Sequence, residues 1–190
     1  MRSCWRLFRT PVLIILASSS ERRHQLLRDA GIEFSIKVPD IDETFNSSLA
    51  VDEQVLDVAR RKANAINAAT DVVVIAADTT VVYNDELFAK PVDAADAKRM
   101  LQLFSGKTHQ VKTAVVIKGR INAEWVETTQ VHFHPIHDDQ LQTYLDSNEW
   151  QGKAGSYAIQ GLAKTFVSHI EGDYDNIVGL PVSKIKELLS

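Results

Sequence analysis

Cysteine is nearly missing from this sequence. Only Cys4 occurs, so no internal disulfide can form, and the chain suits a reducing, cytoplasmic compartment. No apolar run approaches the roughly 20 residues that span a bilayer, which excludes a membrane helix. Basic residues do not dominate: 21 lysines and arginines face 25 acidic residues, for a net charge of −4. No general basic field therefore draws nucleic acid, and an anionic ligand has to be held by local groups. Repeats, low-complexity tracts and linkers are lacking as well. What is present is ordinary for a soluble globular protein. Hydrophobic residues make up 45% and charged residues 24% of 190, enough for one domain with a sizeable core.

The first ten residues carry Arg2, Arg6 and Arg9 and no acid. With the apolar run behind them they imitate a secretory or organelle-targeting leader. That run is short for a signal peptide, and cleavage near Ala17 would destroy the motif that follows. The reading preferred here is a frayed extension over residues 1–10, followed by one domain over 11–190.

The chain is organised around Val12 to Leu27, VLIILASSSERRHQLL. Six apolar residues give way at once to Ser18, Ser19 and Ser20, with Arg22 and Arg23 close behind. This pattern predicts a buried strand, a tight serine turn and a helix N-terminus, where unpaired amides and partial positive charge favour anions. Two arginine forks suit phosphate oxygens. A capped surface helix with solvated arginines explains the same residues without a ligand.

Periodicity predicts a first helix from about Ser20 to Ala30, capped by Ser18 with Glu21 or by Ser20, and ended by Gly31. Phe34 to Val38 alternates as a half-buried strand, and an acidic loop through Asp40, Asp42 and Glu43 follows. A long helix is expected over Asp52 to Ala69, with Val55, Ala59, Lys62, Ala63 and Ile66 near one face. Val72 to Ala77 reads as a central strand that Asp78 and Thr79 interrupt and Thr80 to Tyr83 resumes. Asn84-Asp85 is a turn. A helix over Asp93 to Phe104, strands over His109 to Lys118 and Ile121 to His134, and a short helix over Asp138 to Asp146 come next. Gly152 to Gly161 reads as a loop, Thr165 to Glu171 as a strand, and Pro181 as the opening of a last helix. Early alternation of strands and helices, then strands in succession, favours one α/β domain with a mixed sheet flanked by helices.

Asp78 is the sharpest single residue. It ends a run of six apolar residues, where a carboxylate is costly without a partner, at the carboxyl end of a predicted strand. It can hold a divalent metal or take a proton from water, or else cap the turn into the next strand. Glu43 is a second candidate metal carboxylate, although taken alone it belongs to a solvated acidic loop. Lys62 and Lys90 offer point charges for phosphate, with an ordinary surface lysine as the plain alternative. Three other patterns carry little. Gly106-Lys107-Thr108 has Leu101 where a P-loop needs glycine. His132, His134 and His137 have no nearby cysteine or glutamate to complete a metal site and are expected to face solvent. The glycosylation sequon at Asn46 means little in a cytosolic chain.

Taken together, the residues resemble the Maf family of nucleoside triphosphate pyrophosphatases. The matching blocks are Leu16-Ala-Ser-Ser-Ser-Glu-Arg-Arg, Asp42-Glu-Thr, Arg61-Lys-Ala, Ala77-Asp-Thr, Lys90-Pro, Ser105-Gly-Lys-Thr-His, Lys153-Ala-Gly-Ser-Tyr-Ala-Ile-Gln-Gly and Val178-Gly-Leu-Pro. They fall in the family's order across nearly the whole chain; Glu21 stands where the family usually has proline. The resemblance implies an elongated mixed sheet with a central nucleotide cleft, a homodimer, and Mg2+- or Mn2+-dependent cleavage between the α- and β-phosphates. It implies Asp78 as the proton acceptor. Glu43, Lys62 and Lys90 would position metal and triphosphate, with Glu43 and Asp78 as the metal's carboxylates, and Ser18, Arg22 and Arg23 would meet the phosphates. Arg22, Thr79 and Gln160 match the arginine, threonine and glutamine of the dTTP/UTP subgroup; the 7-methyl-GTP subgroup typically has tryptophan for the arginine. Two other functions compete: a non-catalytic nucleotide-binding regulator of cell division, and a pyrophosphatase for modified or purine nucleotides.

Overall fold

Eleven residues of unbroken strand, β3 (Val73–Tyr83), form the axis of the fold. The structure is a computed structural model that describes residues 12–190; Cys4 and the expected extension over residues 1–10 lie outside the described residues. Around β3 stand β1 (Ile14–Ala17), β2 (Ser35–Ile36), β4 (Glu86–Phe88), β5 (Thr108–Gly119), β6 (Ala123–Phe133) and β7 (Val167–Glu171). They make one seven-stranded sheet in the order β2-β1-β3-β5-β6-β7, with β4 also on β3. β1 and β2 run parallel with the sheet's first half, and every other pairing is antiparallel. The mixed sheet expected from the element pattern is therefore present.

Strand alternation sorts the core. Val74 and Ala76 face α2 (Val51–Asn64) with Val55, Ala59 and Ala63. Val73, Ile75 and Ala77 face the other way, toward Leu27 of α1 (Glu21–Asp29) and Ile185 of α6 (Val182–Leu189). Farther along that second face, Val81, Val111 and Phe133 bury an aromatic cluster under α3 (Ala94–Phe104) and α4 (Asp138–Asp146). A short helix, α5 (Tyr174–Val178), joins β7 to the last helix.

Most elements fall where the periodicity puts them, and the departures have physical causes. β2 is two exposed residues, because at the sheet's edge only β1 pairs with it. α2 stops at Asn64 rather than Ala69, so its amphipathic face is shorter. Asp78 and Thr79 do not interrupt β3: both pair with β5, opposite Ala114 and Thr113, and the strand continues through them. Ser20 occupies the α1 cap position without a side-chain cap bond, while Ser18 Oγ accepts from the Ser20 amide, so the Ser18/Glu21 capping box does not form. The Asn84-Asp85 turn holds, both residues lying at positive φ of 50° and 62°.

Candidate active site

The site arises from an unequal pairing of β3. One edge is covered by β5 from Val73 to Val82. The other edge is shared: β1 covers Val73 to Ala76, and β4 covers Val81 to Tyr83. Ala77 to Thr80 lie between them with no strand on that side among the described residues. Asp78 is thus not at the carboxyl end of its own strand, as the sequence suggests, but it lies level with the carboxyl end of β1, where the parallel part of the sheet opens. A cleft of about 510 Å³ forms at this gap, within the range of small-ligand sites. Among the predicted residues it is lined by Ser18, Arg22, Arg23, Glu43, Lys62, Asp78, Thr79 and Lys90.

Alternation turns Asp78 and Thr79 to opposite faces of the sheet. Asp78 faces α2, where the buried Lys62 donates to its Oδ1 at 2.7 Å. The same ammonium lies 3.0 Å from Glu43 Oε1, and the exposed Lys90 reaches Glu43 Oε2 at 3.4 Å. Partial burial pushes the Glu43 carboxyl up, but Lys62 and Lys90 outweigh it and hold the group below its ordinary range. The loop carrying Glu43 is pinned from α2. Asp42 accepts from the Thr44 amide and hydroxyl at 2.9 and 2.6 Å, while Arg61 donates to the carbonyl oxygens of Asp42 and Thr44. Adjacent residues therefore divide the work: Arg61 fixes the loop backbone, and Lys62 meets its carboxylate. Arg60 points elsewhere, to Glu53 and Glu124.

Thr79 faces α1. Its hydroxyl receives Arg23 at 2.9 Å and lies 2.9 Å from Thr113 Oγ1. Arg23 also donates to the Gly179 carbonyl at 2.8 Å and to Ser18 Oγ at 3.4 Å. Each guanidinium nitrogen thus has a protein acceptor, and together they join α1, β3 and the end of α5. Burial lowers its pKa, Asp78 and Glu43 partly restore it, and Arg22 opposes them. Arg22 differs. Its side chain lines the cleft half-buried and makes no hydrogen bond or ion pair with any described residue. Burial alone lowers its pKa. Lys153 lines the same wall, lowered by burial and then by Arg22's charge. Two partly buried cations without a bonded counter-ion leave this wall short of negative charge.

A family model described as "Maf-like protein" matches residues 13–190, nearly the whole chain. The chain belongs to the Maf family. Among curated relatives, it is 42% identical over 186 residues to a dTTP/UTP pyrophosphatase of Bdellovibrio bacteriovorus, covering 93% of this chain and 97% of that one. A dTTP/UTP pyrophosphatase of Bacillus thuringiensis is 42% identical over 174 residues, covering 90% and 91%. Among solved structures, a HAM1 protein from Coxiella burnetii gives a TM-score of 0.47 at 16% identity, covering 94% of this chain and 98% of that one.

Other residues of the Maf blocks in this chain shape the cleft's rim. His109, from the Ser105-to-His109 block, is buried and bonds Tyr157 at 2.8 Å, which anchors the 152–161 loop on the cleft's rim. Tyr144 donates to the Ser156 carbonyl at 3.1 Å, and the Gly155 amide to the Ala89 carbonyl at 3.2 Å. Gly155, at φ 64°, lies against Val81. Gln160 is exposed and does not line the cleft, although its neighbour Ile159 does. Nothing in the sequence around Lys153 sets it apart; its place in the folded loop does.

Glu43 and Asp78 also fit a hard divalent cation. Their carboxylates already converge on one positive charge, the Lys62 ammonium, and Asp78 Oδ2 has no partner among the described residues. Two carboxylates beside a phosphate site match the usual donor set for magnesium.

Proposed function

We propose that this Maf chain hydrolyses nucleoside triphosphates, dTTP and UTP, to the monophosphate and pyrophosphate. The observation that carries the reading is the set of charges gathered in one cleft. Arg22, unpaired among the described residues, and Lys153 line the same nucleotide-sized volume as the Asp78–Lys62–Glu43 cluster. The dTTP/UTP pyrophosphatases among its relatives support the substrate class. In this reading the triphosphate supplies the missing anion. Arg22, Lys153, Lys90 and the free first-turn amides of α1 bind its oxygens, while Arg23 holds α1 in place. Asp78 Oδ2 accepts a proton from water as that water attacks the α-phosphorus, and the α–β bridging oxygen leaves with the pyrophosphate. A divalent cation, Mg2+ or Mn2+, held by Glu43 and Asp78 supplies charge neutralisation on the phosphates when bound. Specificity toward the pyrimidine base rests on Arg22, Thr79 and Gln160, with Thr79 acting through Arg23. The reading includes a cytoplasmic homodimer; no described helix is long and apolar enough to cross a membrane.

Phosphorus NMR of UTP turned over with magnesium tests the reaction. Equal release of UMP and pyrophosphate is expected. UDP with inorganic phosphate would place the cut elsewhere, and binding without turnover would favour a regulator.

A further inference from the structure

In the sequence, His132 lacks a carboxylate neighbour that would complete a metal site. The fold supplies one from another strand. His132 on β6 pairs with His169 on β7, the sheet's edge strand, and Glu171 lies two residues on, on the same face as His169. The two imidazoles stack with centroids 3.8 Å apart and planes 10° from parallel. Glu171 Oε1 lies 3.4 Å from His132 Nε2 and 3.7 Å from His169 Nε2. One ligand atom from each residue falls within 4.8 Å of the others. His132 is thus partly buried rather than solvent-facing, whereas His134 and His137 are exposed as expected.

Two details separate this cluster from incidental surface histidines. His132 Nε2 is buried and makes no hydrogen bond. The Nδ1 atoms, by contrast, are both held by hydroxyls: His132 by Thr108 at 2.7 Å and His169 by Ser168 at 3.1 Å. Ser168 spends its one proton on the His132 carbonyl at 3.0 Å, so it can only accept from His169. A neutral His169 therefore carries its proton on Nδ1 and keeps a lone pair on Nε2. Outer partners of this kind orient metal-binding imidazoles.

We propose that His132, His169 and Glu171 bind a divalent transition metal ion of the zinc type, tying edge strand β7 to β6. None of the three lines the nucleotide cleft. Two imidazoles and one carboxylate, with a fourth position left to water, suit zinc or cobalt; magnesium and calcium take oxygen sets. The near-parallel rings require one to tilt before both lone pairs meet a single ion. His169, 57% exposed, has room to do so.

The test is cobalt(II) titration of the full chain in excess magnesium, followed by visible absorption, with zinc calorimetry beside it. One ion per chain is expected, with a rise in melting temperature on adding zinc. His169→Ala and Glu171→Gln alter exposed side chains, and each should weaken binding at least tenfold and abolish that rise. Asp78→Asn should leave both unchanged. Undiminished binding in the His169→Ala/Glu171→Gln double variant, or loss of binding in Asp78→Asn, overturns the site. So does a wild-type histidine NMR spectrum in which zinc leaves the His132 and His169 rings unshifted.

Discussion

Asp78 owes its orientation to strand alternation and its company to α2. The buried Lys62 donates to its Oδ1 at 2.7 Å, while Oδ2 has no partner among the described residues. Asparagine keeps the acceptor for Lys62 and cannot take a proton. Asp78→Asn is therefore expected to fold and to bind nucleotide while turnover falls by roughly 10²–10⁴. A near-normal kcat in this variant rules out Asp78 as the base. Arg23 and Arg22 show how far neighbours diverge: each guanidinium nitrogen of Arg23 has a protein acceptor, while the Arg22 side chain at the cleft bonds no described residue. Gln160 tests the specificity part of the proposal. If the bound base covers Gln160, so that its amide pairs with the uracil or thymine edge in a dry site, Gln160→Ala costs roughly 1–3 kcal/mol on UTP and dTTP. That is about one to two decades in kcat/KM, against a smaller loss on CTP and GTP. A uniform loss across the four nucleotides would mean that Gln160 only holds its loop.

At the scale of elements, the cleft depends on two things: the gap between β1 and β4, and the 152–161 loop that closes one side of it. The middle of the loop, Gly155 to Tyr157, is buried. A Cβ on Gly155 would lie 2.5 Å from Val81 Cγ2, and the residue sits at φ 64°, a conformation that disfavours side chains. Gly155→Ala is expected to cost roughly 1–3 kcal/mol in urea unfolding and to depress activity through Lys153 and Tyr157. Trimming Val81 relieves the clash but not the dihedral. The double variant Gly155→Ala/Val81→Ala should therefore lose less than the sum of the two single losses. Strict additivity in that cycle would show that the contact does not limit the loop.

At the scale of the whole molecule, the buried His109 contributes to loss of stability in acid. Burial pushes its imidazole from the ordinary 6.5 down to about 3, and the charge of His132 adds to the shift. The unfolded chain therefore binds a proton between these values that the folded chain refuses. Stability from this group is complete above about pH 6.5 and declines as pH falls toward about 3. The decline is about 1.4 kcal/mol per pH unit for one full proton. Urea unfolding from pH 7 to 4 in chelator should show that slope, and His109→Gln should reduce it by about one proton. An unchanged slope would mean that other groups govern acid unfolding.

Sequence alone settled what local periodicity and composition can settle. The apolar run Val12 to Ala17 and the serines behind it foretell β1 and the turn into α1; alternation and helical stripes foretell most other elements; the ordered blocks foretell the family. Asp78 is legible because a carboxylate at the end of six apolar residues is costly without a reason. What the tertiary structure decided are the relations between distant segments. Only pairing could show that Asp78 sits inside one continuous strand beside a gap, because β1 and β4 come from opposite sides of it in the chain. Only packing could tell Arg22 from Arg23, since the Gly179 carbonyl that holds Arg23 lies 156 residues away. The same is true of His132, whose carboxylate neighbour arrives on another strand. Periodicity reports which way a side chain points within its own element. It carries no information about which distant backbone or side chain that direction meets, and hydrogen bonds and charge pairs act only over those short final distances.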